Sequence, residues 1–213
     1  MIVTIPAIVL ILLLASSVAF VVSRFSFWFN VPLLIFFMAA NLLPQQVIIT
    51  PLYQMYLRIH LPTWISSSGL AYDSFVGLIA INVAFQTGFC TFVLANYMKT
   101  LPKSLSEAAR VDGANPWRIY RHIYLPLARP VLATLGIFTF MWTWNDFLSP
   151  LIYLSDLPDY TTTVGLAFFQ GQFVGKWPEM MAGALVSVVP MILLFVVAQR
   201  YFVRGIAISG LKG

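Results

Sequence analysis

Ser104–Pro126 reads SLSEAARVDGANPWRIYRHIYLP and carries Glu107, Arg110, Asp112, Arg118, Arg121 and His122, in a chain where only 9% of residues are charged. Soluble domains carry roughly a quarter charged residues. Here 60% of the 213 residues are apolar and the mean hydropathy is +0.88. The chain is therefore read as a polytopic membrane protein, and this stretch as a polar island between two long apolar runs. Its local chemistry predicts two short helices. Ser104 as N-cap with Glu107 three residues on makes a capping box, and helix formers follow to Val111. Gly113 supplies the left-handed residue that ends a helix. Asn115 then caps a second helix with Pro116 at its first position; it runs through His122 and meets Pro126, where the next span begins. Ala108, Ala109 and Gly113 share a face in a continued helix, where small side chains let another surface approach the backbone, with Arg and Asp flanking. The same residues also suit an interfacial amphipathic hairpin whose arginines meet anionic headgroups.

Outward from the island, five runs are long and apolar enough to cross about 30 Å of hydrocarbon: Thr4–Ser23, Val31–Tyr53, Ser74–Met98, Leu127–Phe147 and Met180–Phe202. The expected fold is all-α, a bundle of five transmembrane helices in a single domain over residues 1–213, with the island loop at about 100–126. Pro44 and Pro51 predict a kink or early end in the second run. With the island cytoplasmic, Arg24, Lys99, Lys103, Arg110, Arg118, Arg121, Arg129, Arg200, Arg204 and Lys212 all fall inside, 10 of the 12 basic residues. Arg58 and Lys176 fall outside, as do Asp73, Asp146, Asp156, Asp159 and Glu179. Positive-inside bias thus accounts for the net charge of +5 without nucleic acid. Arg200 and Arg204, one turn apart, read as anchors at the end of the last span. This orientation puts Met1 outside, which leads to the expectation of a missing preceding span. No basic n-region precedes the first run, so it is read as a span rather than a signal peptide. The single Cys90 rules out a disulfide framework or a cysteine metal site. The outer loops, Gln54–Asp73 and Leu148–Glu179, hold Pro62, Pro150, Pro158 and Pro178 and read as short segments facing whatever delivers or accepts a solute.

Glu107-Ala108-Ala109, three residues, Gly113, nine residues, then Ile123-x-Leu125-Pro126 resembles the EAA signature of ABC-importer permease subunits, with every fixed position filled. Trp144-Asn145-Asp146-Phe147 followed by Pro150-Leu151-Ile152 is similar to the WNEF-x-x-PLI segment of the carbohydrate-uptake branch. Val164-Gly165-Leu166, Phe169-Gln170-Gly171-Gln172, the Gln199–Gly205 run and Leu211-Lys212-Gly213 match the same branch, so the likeness to maltose-type permeases covers nearly the whole chain. The resemblance implies six spans in the complete form. It makes the island a coupling helix seated in a cleft of a cytoplasmic ATPase, with Glu107 facing that partner and Gly113 allowing the bend. The implied coupling set is Glu107, Ala108, Ala109, Asp112, Gly113, Ile123, Leu125 and Pro126. It further implies two ATP-binding subunits that hold ATP and Mg, a second homologous permease, an extracytoplasmic solute-binding protein and an inner-membrane location amid lipid. This chain itself would hold no cofactor. The expected cargo is a sugar or oligosaccharide; a glycerol-phosphate-type solute is the alternative within the class.

The residues also limit what the chain does alone. Gly171–Trp177 is one residue short of a Walker A loop and has Trp177 where Ser or Thr binds magnesium. His60 and His122 lie in opposite loops and no catalytic triad or metal cluster is present, so the chain is not read as an enzyme. Ion-coupled carriers need ionisable residues within the membrane. The five runs hold almost none, Asp146 sitting near one end, which disfavours a secondary carrier. Asn82 and Gln86, four residues apart on one helix face, are candidates to bond a hydroxylated solute, Trp142 and Trp144 to stack on a sugar ring, and Asn145 to bond its hydroxyls. Polar span residues also hold helices together, and Trp also marks membrane interfaces; on pattern alone both readings stand.

Overall fold

Every fourth residue of α1 (Thr4–Arg24) faces inward: Ala7, Ile11, Ala15 and Ala19 are fully buried. Three of these are alanines, so a second backbone can come close. α4 (Phe75–Thr100) does so with Cys90, Leu94, Ala95 and Met98. Lipid gives little hydrophobic drive between helices, and such close packing is what joins spans. Ser74 starts α4 by accepting from the Gly77 amide at 3.0 Å. A computed structural model describes residues 1–155, 160–169 and 177–209, with side chains through Val197. Asp156, Pro158, Asp159, Gln170, Gly171, Gln172, the rest of the near-Walker stretch through Lys176, and the Leu211–Gly213 tail lie outside the described residues, as do the Arg200 and Arg204 side chains.

The second run is two helices, α2 (Asn30–Leu42) and α3 (Gln45–Tyr56), bent by 97°. Pro44 is the cause: its ring disfavours helical backbone in the preceding residue, and Leu43 sits at ψ 125°. Pro51, which also predicted an interruption, lies inside α3 without ending it. After the island, α8 (Arg129–Trp144) has 16 residues, roughly 24 Å of helix, less than the Leu127–Phe147 span expected. It continues Pro116–Leu127 through a bend of 73°. Three helices are long and apolar enough to cross a membrane, Thr4–Arg24, Phe75–Thr100 and Trp177–Val197, or up to five if each bent pair is one span.

The island folds as two helical pieces, with one correction. α5 (Ser104–Val111) takes Lys103, not Ser104, as its N-cap and uses no side-chain cap. Lys103 already has helical φ and ψ, and its carbonyl accepts from the Ser106 and Glu107 amides. The capping box is therefore not formed: Ser104 lies inside the helix, and Glu107 is one position too far along to reach back. The other end is as expected. Gly113 has φ +80°, its amide bonds Arg110 O at 3.0 Å, and the Ala114 amide bonds Ala109 O at 2.9 Å. That pair of bonds is a Schellman motif, closed by the small side chains of Ala109 and Ala114 on the core.

Asn115 Oδ1 accepts from the Arg118 amide at 2.8 Å and Pro116 opens α6 (Pro116–Ile119). Asn115→Ala is expected to cost about 1 kcal/mol locally, seen as about fivefold faster hydrogen exchange at the Arg118 amide. Unchanged exchange would show the cap to be dispensable. Helix does not stop at His122. It widens into a π turn (Tyr120–Tyr124) and continues as α7 (Leu125–Leu127). Pro126 has no N–H to give and its ring crowds the carbonyl four residues back. The wider turn relieves both, and the Leu125 amide bonds Tyr120 O.

At the end of α4 away from the island, Tyr53, Tyr56 and Tyr153 cluster with Tyr72. Tyr153 lies on α9 (Leu148–Tyr153) and donates to Ile49 O at 3.1 Å; burial pushes its phenol pKa up, so it stays a donor. α10 (Thr162–Ala167) and α11 (Trp177–Ser209) complete the described elements. Leu185, Val186, Ile192, Leu193 and Phe195 of α11 face outward, as suits lipid or another helix.

Candidate functional site

The island and the bundle interior form two separate candidate regions. On the island, the residues of the EAA pattern divide by face. Glu107, Ala108, Asp112 and Gly113 are exposed. Ala109, Ile123 and Leu125 instead pack against the core cluster, and Pro126 is half-buried beneath them. The shared small-residue face predicted for Ala108, Ala109 and Gly113 is thus split, because α5 ends before Gly113. The Glu107 carboxylate makes no hydrogen bond or ion pair among the described residues. Around it stand Arg110 and Asp112, together with two large apolar side chains, Val111 at 89% exposure and Trp117 at 61%. Exposed large apolar side chains beside charged ones suit a protein contact surface.

Inside the bundle, a cleft of about 480 Å³ lies where the second run breaks. The residues after the break, Gln45 and Gln46, line it together with Asn41 from α2, Phe85, Gln86 and Phe89 from α4, and Phe138 and Trp142 from α8. Gly88 makes the approach of α2 feasible: a Cβ there would meet Phe37 O at 3.2 Å and Asn41 Nδ2 at 3.1 Å. Phe89 and Phe138 lie 5.3 Å apart, and Phe138 and Trp142 6.1 Å, so part of the lining is aromatic. Among the described residues the lining contains no Lys, Arg, Asp or Glu.

Five side chains were expected along a solute path, and they separate. Gln86 and Trp142 share the cleft. Gln86 Nε2 also bonds Thr143 Oγ1 at 2.9 Å and Asn82 Oδ1 at 3.2 Å, tying α4 to α8, while its Oε1 is buried without a partner among the described residues. Asn82 is turned away, donating to Leu78 O at 3.1 Å and lining a smaller cavity of about 200 Å³ with Thr143 and Trp144. Trp144 packs flat on Phe140 at 5.7 Å and donates to Ser187 O at 3.1 Å, which joins α8 to α11. Asn145 donates to Met141 O at 2.7 Å at the end of α8, but lies along an outer groove with Trp142, Gln45 and Gln46. Asn41, Gln45 and Gln46 were not singled out from sequence. The available signal was three amides flanking Pro44 in an apolar run.

Known proteins resemble this arrangement over nearly its whole length. The family described as "binding-protein-dependent transport system inner membrane component" matches residues 1–208. A probable ABC transporter permease protein of Pyrococcus horikoshii is 36% identical over 171 residues, 80% of this chain and 58% of that protein. The alpha-glucoside transport system permease protein of Rhizobium meliloti is 32% identical over 212 residues, 99% of this chain and 54% of its own length. The chain thus spans little more than half of these two relatives. Among solved structures, a bacterial ABC transporter involved in the import of the acidic polysaccharide alginate superposes with a TM-score of 0.67 at 22% identity, over 93% of this chain and 72% of that one. The fold, with its broken second run and its glycine-hinged hairpin, is therefore that of an ABC importer permease. With the match running from Met1 almost to the C-terminus, the chain belongs to the inner-membrane components of binding-protein-dependent transport systems.

Proposed function

We propose that this chain forms half of the translocation path of an ATP-driven importer for a neutral sugar or oligosaccharide, and that the hairpin of residues 104–126 is where a cytoplasmic ATPase acts on it. The observation that carries the reading is the hairpin's division of faces: Glu107, Arg110 and Asp112, unpaired among the described residues, outward, and Ala109, Tyr120 and Tyr124 inward. A surface that is polar, unpaired and rigidly backed suits docking better than lipid anchoring. The full assembly would comprise two ATP-binding subunits holding ATP and Mg, a second homologous permease and an extracytoplasmic solute-binding protein. Hairpin and C-terminus would be cytoplasmic, as the distribution of Arg and Lys favours. ATP binding would bias the bundle between inward- and outward-open states through contacts that differ between the two.

The cleft supports a neutral, hydroxylated cargo. Amides bond hydroxyls as donor and acceptor, and aromatic faces stack on the apolar side of a sugar ring. A phosphate ester wants Arg or Lys, and the lining has neither among the described residues. The test is uptake into proteoliposomes by the reconstituted assembly. ATP-dependent sugar uptake is expected; uptake by the chain alone on an ion gradient, without ATPase, would overturn the reading.

Glu107 gives a narrower test. With no capping box to serve, its carboxylate is free for a partner, and Glu107→Gln is expected to lower uptake about tenfold by weakening a charge-assisted contact. Insertion in the membrane should be normal. Wild-type uptake in this variant would remove Glu107 from the contact.

A further inference from the structure

Three residues of α1 spaced four apart, Ser16, Phe20 and Arg24, meet two tyrosines of the π turn, Tyr120 and Tyr124. Each rung is a different interaction. Tyr120 Oη and Ser16 Oγ share a buried hydrogen bond of 2.8 Å. The Phe20 ring lies 5.3 Å from both tyrosine rings. The Arg24 guanidinium sits over the Tyr124 ring, 4.3 Å from its centroid. Arg24 Nη2 also donates to Met98 O and, at 3.0 Å, to Leu101 O. A cation placed on the last carbonyls of α4 answers the negative end of that helix. Tyr124 is fully buried and its Oη has no hydrogen-bond partner among the described residues, nor have Arg24 Nε and Nη1. The ring's face, then, and not its hydroxyl, is what Arg24 uses.

α1 lies about a hundred residues away along the chain from this turn, so side-chain packing alone joins them. The hairpin's covalent exits are poor levers by comparison: Pro102 breaks the backbone on one side, and Ala128 marks the 73° bend on the other. Packed interfaces move as units or switch between discrete arrangements. We infer that the Ser16–Phe20–Arg24 and Tyr120–Tyr124 ladder is the joint that carries displacement of the hairpin to α1 and α4, with Arg24 the positioning residue that makes those two helix ends follow Tyr124 together. The inference rests on the importer reading, and its readout is coupling rather than activity alone.

The experiment uses the complete assembly in proteoliposomes and measures ATP hydrolysed per solute imported, alongside the amount of ATPase subunit retained. Arg24→Gln and Tyr124→Leu are expected to raise ATP consumed per solute about fivefold, within the usual range for loss of coupling between sites, with the ATPase retained. Tyr124→Phe should match wild type, because the hydroxyl is unused, and Arg24→Lys should recover most of the coupling by keeping the cation over the ring. Tyr120→Phe deletes the hydroxyl's hydrogen bonds to Ser16 Oγ and, at 3.4 Å, to Ser17 Oγ and leaves the ring, so it should assemble even if the harsher variants do not, and should raise the ratio about twofold. An unchanged ratio in Arg24→Gln and Tyr124→Leu, or in Tyr120→Phe where those two fail to assemble, overturns the joint. A wild-type assembly that imports nothing on ATP overturns instead the importer reading beneath it.

Discussion

Gly113→Leu is expected to cut ATP-driven uptake by about tenfold or more while leaving membrane insertion intact. The reason is backbone conformation, not crowding: Gly113 sits at φ +80°, and a Cβ there would meet nothing within 4 Å. A side chain in the left-handed region costs roughly 1–2 kcal/mol, and about 1.4 kcal/mol is already a tenfold change in an equilibrium. The chain's way out is to rotate φ negative, which breaks the Gly113–Arg110 and Ala114–Ala109 bonds and frees α5 from its fixed angle to α6. The docking face would then be presented in many orientations instead of one. Since only backbone is at issue, Gly113→Asn should keep most uptake, because asparagine tolerates this region, and Gly113→Ala should fall between. Uptake assayed across the three variants in the reconstituted assembly checks this. Normal uptake with leucine would mean that the hairpin angle does not matter.

Gln86→Leu is expected to raise the KM for solute by about tenfold, because a bond between a site amide and a solute hydroxyl is strongly selected for. Two roles compete for this residue. It bridges α4 to α8 through Thr143, and its side chain is part of the cleft lining. Interhelical hydrogen bonds in membranes average about 0.6 kcal/mol, which predicts less than about a threefold effect if bridging is all that Gln86 does. Thr143→Val removes the same bridge from the other side and leaves the amide in place. A large KM change in Gln86→Leu with a small one in Thr143→Val supports solute contact. Equal, small changes in both would assign Gln86 to structure.

Much of this was legible in the sequence. The apolar runs marked α1 and α4 to within two residues and the start of α11 to within three, though α11 continues to Ser209, seven residues past the expected end; Pro44 marked the break in the second run, and Gly113, Asn115 and Pro116 fixed the hairpin's turn, because each of these is a local chemical requirement. What failed was anything set by the third dimension. Ser104 had the right neighbour for a capping box, but the chain leaving Pro102 enters helix at Lys103, and one residue of phase cancels the motif. Pro44 foretold a break without foretelling 97°, so Gln45 and Gln46 could not be placed opposite Gln86. Asn82 and Gln86 do share a helix face, yet one side chain is spent on its own helix and on its neighbour while the other reaches the cleft. Tyr120 and Tyr124 fall within the polar island, and nothing in its pattern singles them out. Only the tertiary structure shows them buried against α1, behind the hairpin's exposed face.

The π turn at Tyr120–Tyr124 has one more consequence. In an α-helix each residue advances the direction of its side chain by about 100°, and a π turn holds one residue more than that count allows. The hairpin's compass bearing relative to α8 is therefore set by a single surplus residue. Were that residue removed and the turn to close into ordinary α-helix, Tyr120 and everything before it would swing by about a third of a revolution. Tyr120 would leave Ser16, and Trp117 and Arg118 would face a different quarter of the compass. The number of residues between Asn115 and Pro126 thus helps set which way the hairpin faces, apart from the identity of any side chain it contains.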